Sequence, residues 1–278
     1  GVYQGEFALT KSGTAEQPIT LQGSPATILA GEALTKGYVL HIDKADYWVL
    51  TGFTLRNAAK GIMLDDADNN TLDHLLIEQT GQEAVHFRTC SASNILQYST
   101  IRETGVITPG YGEGIYIGSD ADKWPAYSCD LDLRDKSHYN QILSNHFGPN
   151  VRAEAIDVKE GTIGGIISGN EFDATGLSGA HFADSWLDLK GNRYKVGYNH
   201  GVQGDTGQLR HGFETHDKAN GWGRHNIFYA NEFTLNSSGY GFHIDTDDPD
   251  HGTIVCANNQ VAGAELGIAN IGLTGSSK

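Results

Sequence analysis

The chain has 278 residues, enough for one large domain with a sizeable core, and its 36 Gly against 6 Pro and 1 Met mark a turn-rich chain of short strands. With 19 Lys plus Arg against 34 Asp plus Glu, the formal charge is −15, which argues against a nucleic-acid partner or an anionic membrane surface. No apolar run approaches the ~18 residues that a membrane helix needs.

In chain order, a five-residue strand of the form small–apolar–x–apolar–x recurs: Val39–Asp43, Gly61–Asp65, Ala84–Arg88, Gly114–Gly118, Ala155–Lys159, Trp186–Lys190, Gly212–His216, Gly241–Asp245 and, less cleanly, Gly267–Ile271. Short alternating strands that each need a neighbour to bury an apolar face are the units of a solenoid. A second motif, strand–turn–strand around a fixed Asn, returns at Asn145, Asn170, Asn199, Asn231 and Asn258. Asn tolerates the left-handed turn conformation and can hydrogen-bond its own image in the next coil. A propeller would want blades of ~40–45 residues with four strands, longer than these copies. The two longest intervals predict inserted loops near 119–139 and 191–210. The first is acidic, with Asp120, Asp122, Asp130, Asp132 and Asp135 around Trp124 and Pro125. Of three cysteines, Cys90 and Cys129 both fall in loops and are the favoured disulfide, although three isolated thiols fit equally well.

In each copy the second and fourth residues face the core, so the third and fifth face solvent. Stacked, the third positions read His41, Met63, His86, Tyr116, Asp157, Asp188, Glu214 and His243, and the fifth Asp43, Asp65, Arg88, Gly118, Lys159, Lys190, His216 and Asp245. Three coils, about 4.8 Å apart, set Asp157, Asp188 and Glu214 beside Lys159, Lys190 and His216. Stacking like charges costs free energy, so this patch reads as functional rather than as a solvated face. Two chemistries suit it. Elimination across C4–C5 of a uronate needs its carboxylate neutralised and a base for the C5 proton. Glycoside hydrolysis needs an acid and a carboxylate at defined separation. His211 and His243 flank the patch as further binding candidates, Trp186 reads as an outward sugar platform, and Tyr116 as a donor to a leaving oxygen.

The period, the short strands and the Asn ladder, with the opening Gly1-Val2-Tyr3-Gln4-Gly5, Ser12-Gly13-Thr14 and Gln17-Pro18-Ile19-Thr20-Leu21, resemble the right-handed parallel β-helix of the pectate-lyase-like superfamily. The resemblance implies an all-β, single-domain solenoid of about 9–10 coils spanning 1–278. Glu154-Ala155-Ile156-Asp157-Val158-Lys159 further resembles the segment of β-helical alginate lyases and chondroitinase B in which a Glu five residues before a Lys helps bind calcium and the Lys is the base. That resemblance implies Lys159 as base, Glu154 as a Ca2+ ligand and Lys190 in place of an Arg on the leaving side. It departs at Arg152, where the second acidic calcium ligand of that group would fall, which leaves Lys or Arg neutralisation as a substitute.

The expectation is thus a secreted, monomeric polysaccharide lyase binding an acidic polysaccharide from Arg88 to His216. Lys190 with Arg193 or Arg88 positions the carboxylate, Asp157, Asp188 and Glu214 line the groove, and His216 or Tyr116 protonates the leaving oxygen. The alternatives are a hydrolase or uronate epimerase using Asp157, Asp188 and Glu214, or a non-catalytic carbohydrate-binding β-helix.

Overall fold

The computed structural model describes residues 1–129, 132–204 and 207–275. The chain passes in rotation through three sheets. The first runs from Val2–Gln4 to Gln260–Ala264, the second from Phe7–Leu9 to Gly267–Ala269, and the third from Ile19–Gln22 to Ile254–Val255, with 10, 10 and 9 strands. Each strand pairs in parallel with the strand one coil before and one coil after, which is the right-handed parallel β-helix that the repeat predicts. The strand missed by the repeat is Phe7–Leu9, where Glu6 stands in the place that later copies give to a small residue.

The repeat has a steric cause. A Cβ on Gly114 would lie 2.5 Å from the Ala155 carbonyl oxygen of the next coil, and one on Gly61 or Gly212 would crowd the next coil's carbonyl in the same way, so glycine is required at the first position of these copies. Apolar positions two and four, such as Ile156 and Val158, fill the interior, where first-sheet residues add stacks such as Phe147 on Phe172 with centroids 5.2 Å apart, each buried side chain contributing about 1.5–3 kcal/mol.

Two corners of the helix carry ladders of buried amides, each over part of its length. Asn145, Asn170, Asn199, Asn231 and Asn259 hand one side-chain hydrogen bond to the next at 2.9–3.1 Å. The terminal member is Asn259 rather than Asn258. A second ladder, Asn70–Asn94–Asn140, escaped the sequence reading. In the first ladder the left-handed residue is the one before each Asn, as at Ser144, Gly169, Tyr198 and Ala230. The amide itself faces inward, where it replaces backbone partners that a sharp corner cannot supply.

Cys90 and Cys129 form a disulfide and Cys256 is free and buried. The insert at 119–139 carries a 3-10 turn, Ala121–Lys123, and a one-turn helix, Trp124–Tyr127; Asp130 lies outside the described residues. The predicted insert at 191–210 is mostly an ordinary coil containing the strands Lys195–Gly197 and His200–Val202, so the extra chain there begins only after Val202.

Candidate active site

The second sheet aligns His41, Met63, His86, Tyr116, Asp157, Asp188, Glu214 and His243 in one column, as predicted. The prediction that this face is open to solvent is wrong for its centre. Asp157, Asp188, Glu214 and Lys190 are all less than a tenth exposed, because loops rise on both flanks and turn the face into the floor of a cleft of about 810 Å³. One wall carries Tyr111 and Phe182, the other Asp120, Lys123 and Lys218.

On the floor, charges interlock across coils. Lys159 Nζ is 2.7 Å from one oxygen of Asp157, and Lys190 Nζ is 2.8 Å from the other while also bonding Asp188. Asp188 in turn accepts from His216 Nδ1 at 2.8 Å. Burial alone would lower both lysines, but Asp157 and Asp188 outweigh it and hold both ammoniums above their ordinary range. Burial would raise Asp188, but Lys190 and His216 keep it well below the usual carboxylate range. His216 is pushed up to about 9: burial opposes this, and the hydrogen bond to Asp188 dominates, with Glu214 adding. Lys190 is therefore consumed by two protein carboxylates, a correction to its expected role on the substrate carboxylate.

Beside this network lies a second feature. Glu113 and Glu154 occupy the position just before the strand in successive coils, locked there by Gly114 N–H to the Glu154 carbonyl at 3.1 Å. With Asp157 they bring one carboxylate oxygen each to within 4.8 Å of the others. Burial first, then the charge of Asp157, lifts Glu113 to about 8 and Glu154 well above its usual value. Arg152 takes no part in this trio and is turned to the Gly176 carbonyl. The signal was in the sequence: Glu83-Ala84, Glu113-Gly114 and Glu154-Ala155 place Glu before three successive strands.

Tyr116 borders both features. Lys159 Nζ lies 4.8 Å from the centre of its ring, and the His86 ring packs on it at 4.5 Å. Burial, reinforced by Asp157 and Glu113, raises its phenol well above 10, so it is a held proton. Asp184, which the sequence reading passed over, is lifted to about 6 by burial and by its hydrogen bond to Glu214. Glu214 also lies 3.9 Å from His243 Nδ1 and 3.9 Å from His216 Nε2. Although His211, Glu214 and His243 cluster, the two rings stack at 4.4 Å and 15°. An ion bound by an imidazole lies in the plane of the ring, and two stacked planes offer no shared position. Burial lowers His211 to about 4, so it is a neutral ring whose Nδ1 accepts from Tyr240 N–H.

Three predicted residues do not join the site. Arg88 is spent on a two-pronged bond to Asp65 at 2.7 and 2.8 Å. Arg193 is exposed in a left-handed turn that leads into a third-sheet strand. Trp186 is 2% exposed and faces inward, into space that Gly201 vacates: a Cβ there would lie 2.5 Å from its ring. A hydrolytic pair of Asp157 and Asp188 is also disfavoured, because both carboxylates are bound to one ammonium, that of Lys190.

The molecule has solved counterparts. Alginate lyase from Paenibacillus sp. str. FPU-7 superposes with a TM-score of 0.90 and 36% sequence identity, over 99% of this chain and 89% of that one. Pectate lyase Pel9A gives 0.56 at 13% identity over 98% and 68% of the two chains. The GH136 lacto-N-biosidase from Eubacterium ramulus gives 0.59 at 13% over 94% and 60%. The last two share the fold alone. No protein-family model matches the sequence, and no curated protein does.

Proposed function

This chain belongs to the polysaccharide lyases built on a right-handed parallel β-helix, and within that family we propose that it cleaves a uronate polymer of the alginate type by β-elimination, with Lys159 as base. The observation that carries the reading is the adjacency of Lys159, the Tyr116 ring and the buried acidic trio in one cleft. The leaving O4 and the C5 proton sit on one sugar, so acid and base must stand close together. Tyr116 meets that demand, being at the Lys159 ammonium and protonated at neutral pH. His216, two coils further on, is better placed to orient Asp188.

Glu113, Glu154 and Asp157 form an all-oxygen donor set of the kind that suits Ca2+, and would hold it on giving up the protons that burial keeps on Glu113 and Glu154. When bound, the cation supplies charge neutralisation of the substrate carboxylate, which acidifies C5. The chain's own groups do the rest. Lys190 fixes Asp157 from the far side, Asp157 orients Lys159, Lys159 in its amine form takes the C5 proton, and Tyr116 gives its proton to O4. The Cys90–Cys129 disulfide supports an extracytoplasmic place of action.

The test is ultraviolet absorbance of the unsaturated uronate on alginate, pectate, glucuronan and chondroitin sulfates, with calcium and with chelator. A rise on alginate, abolished in Lys159→Ala, is expected. New reducing ends without absorbance would transfer the reading to hydrolysis, for which the Asp184–Glu214 carboxyl pair is the best acid.

A further inference from the structure

A second cavity of about 490 Å³ opens beside the cleft and shares Phe182, Asp184 and Arg210 with it. The rest of its lining is uncharged and mostly polar, and includes Gln203, Asn236 and Ser237. Ser237 is 6% exposed, yet its Oγ has no hydrogen-bond partner among the described residues. A buried hydroxyl left unpaired in a cavity costs free energy unless something enters to meet it.

Phe182 stands at the junction. It is 92% exposed, the most exposed large apolar side chain among the described residues. It follows His181 in a turn where both residues are left-handed, φ 57° and 68°, a conformation that a bulky residue seldom adopts. The turn is held in that shape from the opposite side: His181 Nδ1 donates to the Gly110 carbonyl at 3.1 Å and its ring meets Tyr111 edge-on at 4.8 Å. The anchoring fixes one ring so that the next projects into water. A flat apolar face beside amide and hydroxyl groups matches the alternating apolar and hydroxylated faces of a pyranose, and Arg210 adds an exposed guanidinium whose charge also reaches the Asp184 carboxyl.

We propose that this second cavity is an additional glycosyl subsite continuous with the catalytic cleft. Phe182 stacks on the sugar that crosses the junction, Arg210 pairs with a uronate carboxylate, and Gln203, Asn236 and Ser237 take hydroxyls. The assignment of a uronate to Arg210 rests on the lyase reading; the subsite itself does not. It makes the protein favour chains long enough to cross Phe182.

The experiment compares Phe182→Ala and Arg210→Ala with wild type on alginate polymer and on the shortest alginate oligosaccharides that wild type cleaves, reading kcat/KM on each. The ratio of polymer to short-chain kcat/KM is expected to fall about tenfold in each variant, through KM. An equal loss at all lengths, or none, overturns the subsite. In parallel, calorimetric binding of the same oligosaccharides to Lys159→Ala protein separates the two readings. Affinity that grows with length, and loses that growth when Arg210→Ala is added, sustains the subsite even where wild type shows no lyase activity. Affinity that is indifferent to length or to Arg210 overturns it even where the lyase reading stands.

Discussion

Lys159 Nζ rests 2.7 Å from an oxygen of Asp157, two residues before it, so the proposed base is tethered by the group that keeps it protonated. A base must be the free amine, and an amine held above its ordinary range is scarce at neutral pH. Turnover should therefore climb with pH through the neutral and mildly alkaline range. Lys159→Ala and Lys159→Arg should both lose about 10²–10⁴-fold in kcat. The arginine variant is the sharper of the two, since it retains the charge and loses only the ability to accept a proton. Steady-state absorbance kinetics check this, and an active Lys159→Arg enzyme would reduce residue 159 to a carboxylate-binding cation.

His216 gives stability a pH dependence of opposite sense. Its pKa in the folded protein is about 9 against an ordinary 6.5, because the hydrogen bond and charge of Asp188, and then Glu214, outweigh its burial. A group raised on folding stabilises fully below its unfolded value and stops doing so as pH rises through its folded value. The melting temperature should decline from about pH 6.5 to about pH 9. In His216→Gln that decline should flatten, while stability at pH 9.5 stays near wild type. Thermal melts across this range read it directly.

How much of this was legible in the sequence depends on which atoms carry each feature. The column from His41 to His243 was readable because strand period and coil repeat are set by backbone geometry. The Asn145–Asn259 ladder was readable nearly to its end for the same reason. Burial of the column was not, because it depends on walls built by 109–111, 120–123 and 180–183, loops whose course no period encodes. Trp186 misled because a small residue at Gly201, 15 positions away in sequence, is what lets an indole turn inward. Arg88 misled because its partner Asp65 lies one coil back at the same fifth position, a pairing that was in plain view.

The disulfide should govern the cleft more than the helix. Cys129 closes a span of 39 residues back to Cys90, a constraint worth about 3–4 kcal/mol against the unfolded chain. The segment it restrains supplies Asp120 and Lys123 to one wall. Other ties remain there: Ala121 N–H to buried Glu160 at 2.8 Å and Trp124 Nε1 to the Ser119 carbonyl at 3.0 Å. Cys129→Ser, or reduction, should therefore leave the far-ultraviolet dichroism of the sheets unchanged and raise KM severalfold with a smaller change in kcat. A loss of sheet signal at ambient temperature would show instead that the bond is needed by the solenoid itself.

The Asn ladder makes the most local stability prediction. Asn199 Oδ1 accepts from both the backbone N–H and the side-chain amide of Asn170, at 2.9 and 3.0 Å, and its own amide donates to the Ile167 carbonyl and to Asn231 Oδ1 at 3.1 and 2.9 Å. Replacing it with alanine strands the Asn170 N–H and the Ile167 carbonyl and takes one of two bonds each from the Asn170 amide and Asn231 Oδ1, in a corner that is 1% exposed. With a buried unsatisfied group costing about 1–3 kcal/mol and partial relaxation by entering water, the loss should be about 3–5 kcal/mol. Asn199→Asp should be at least as damaging, since a carboxylate cannot donate to Ile167 or Asn231. By contrast, alanine at Asn258, whose side chain accepts one exposed bond from Ala230 N–H, should cost under about 1 kcal/mol. Denaturant melts of the three variants decide it. Equal costs at positions 199 and 258 would mean that the backbone sheets, and not the amide stack, hold the corners together.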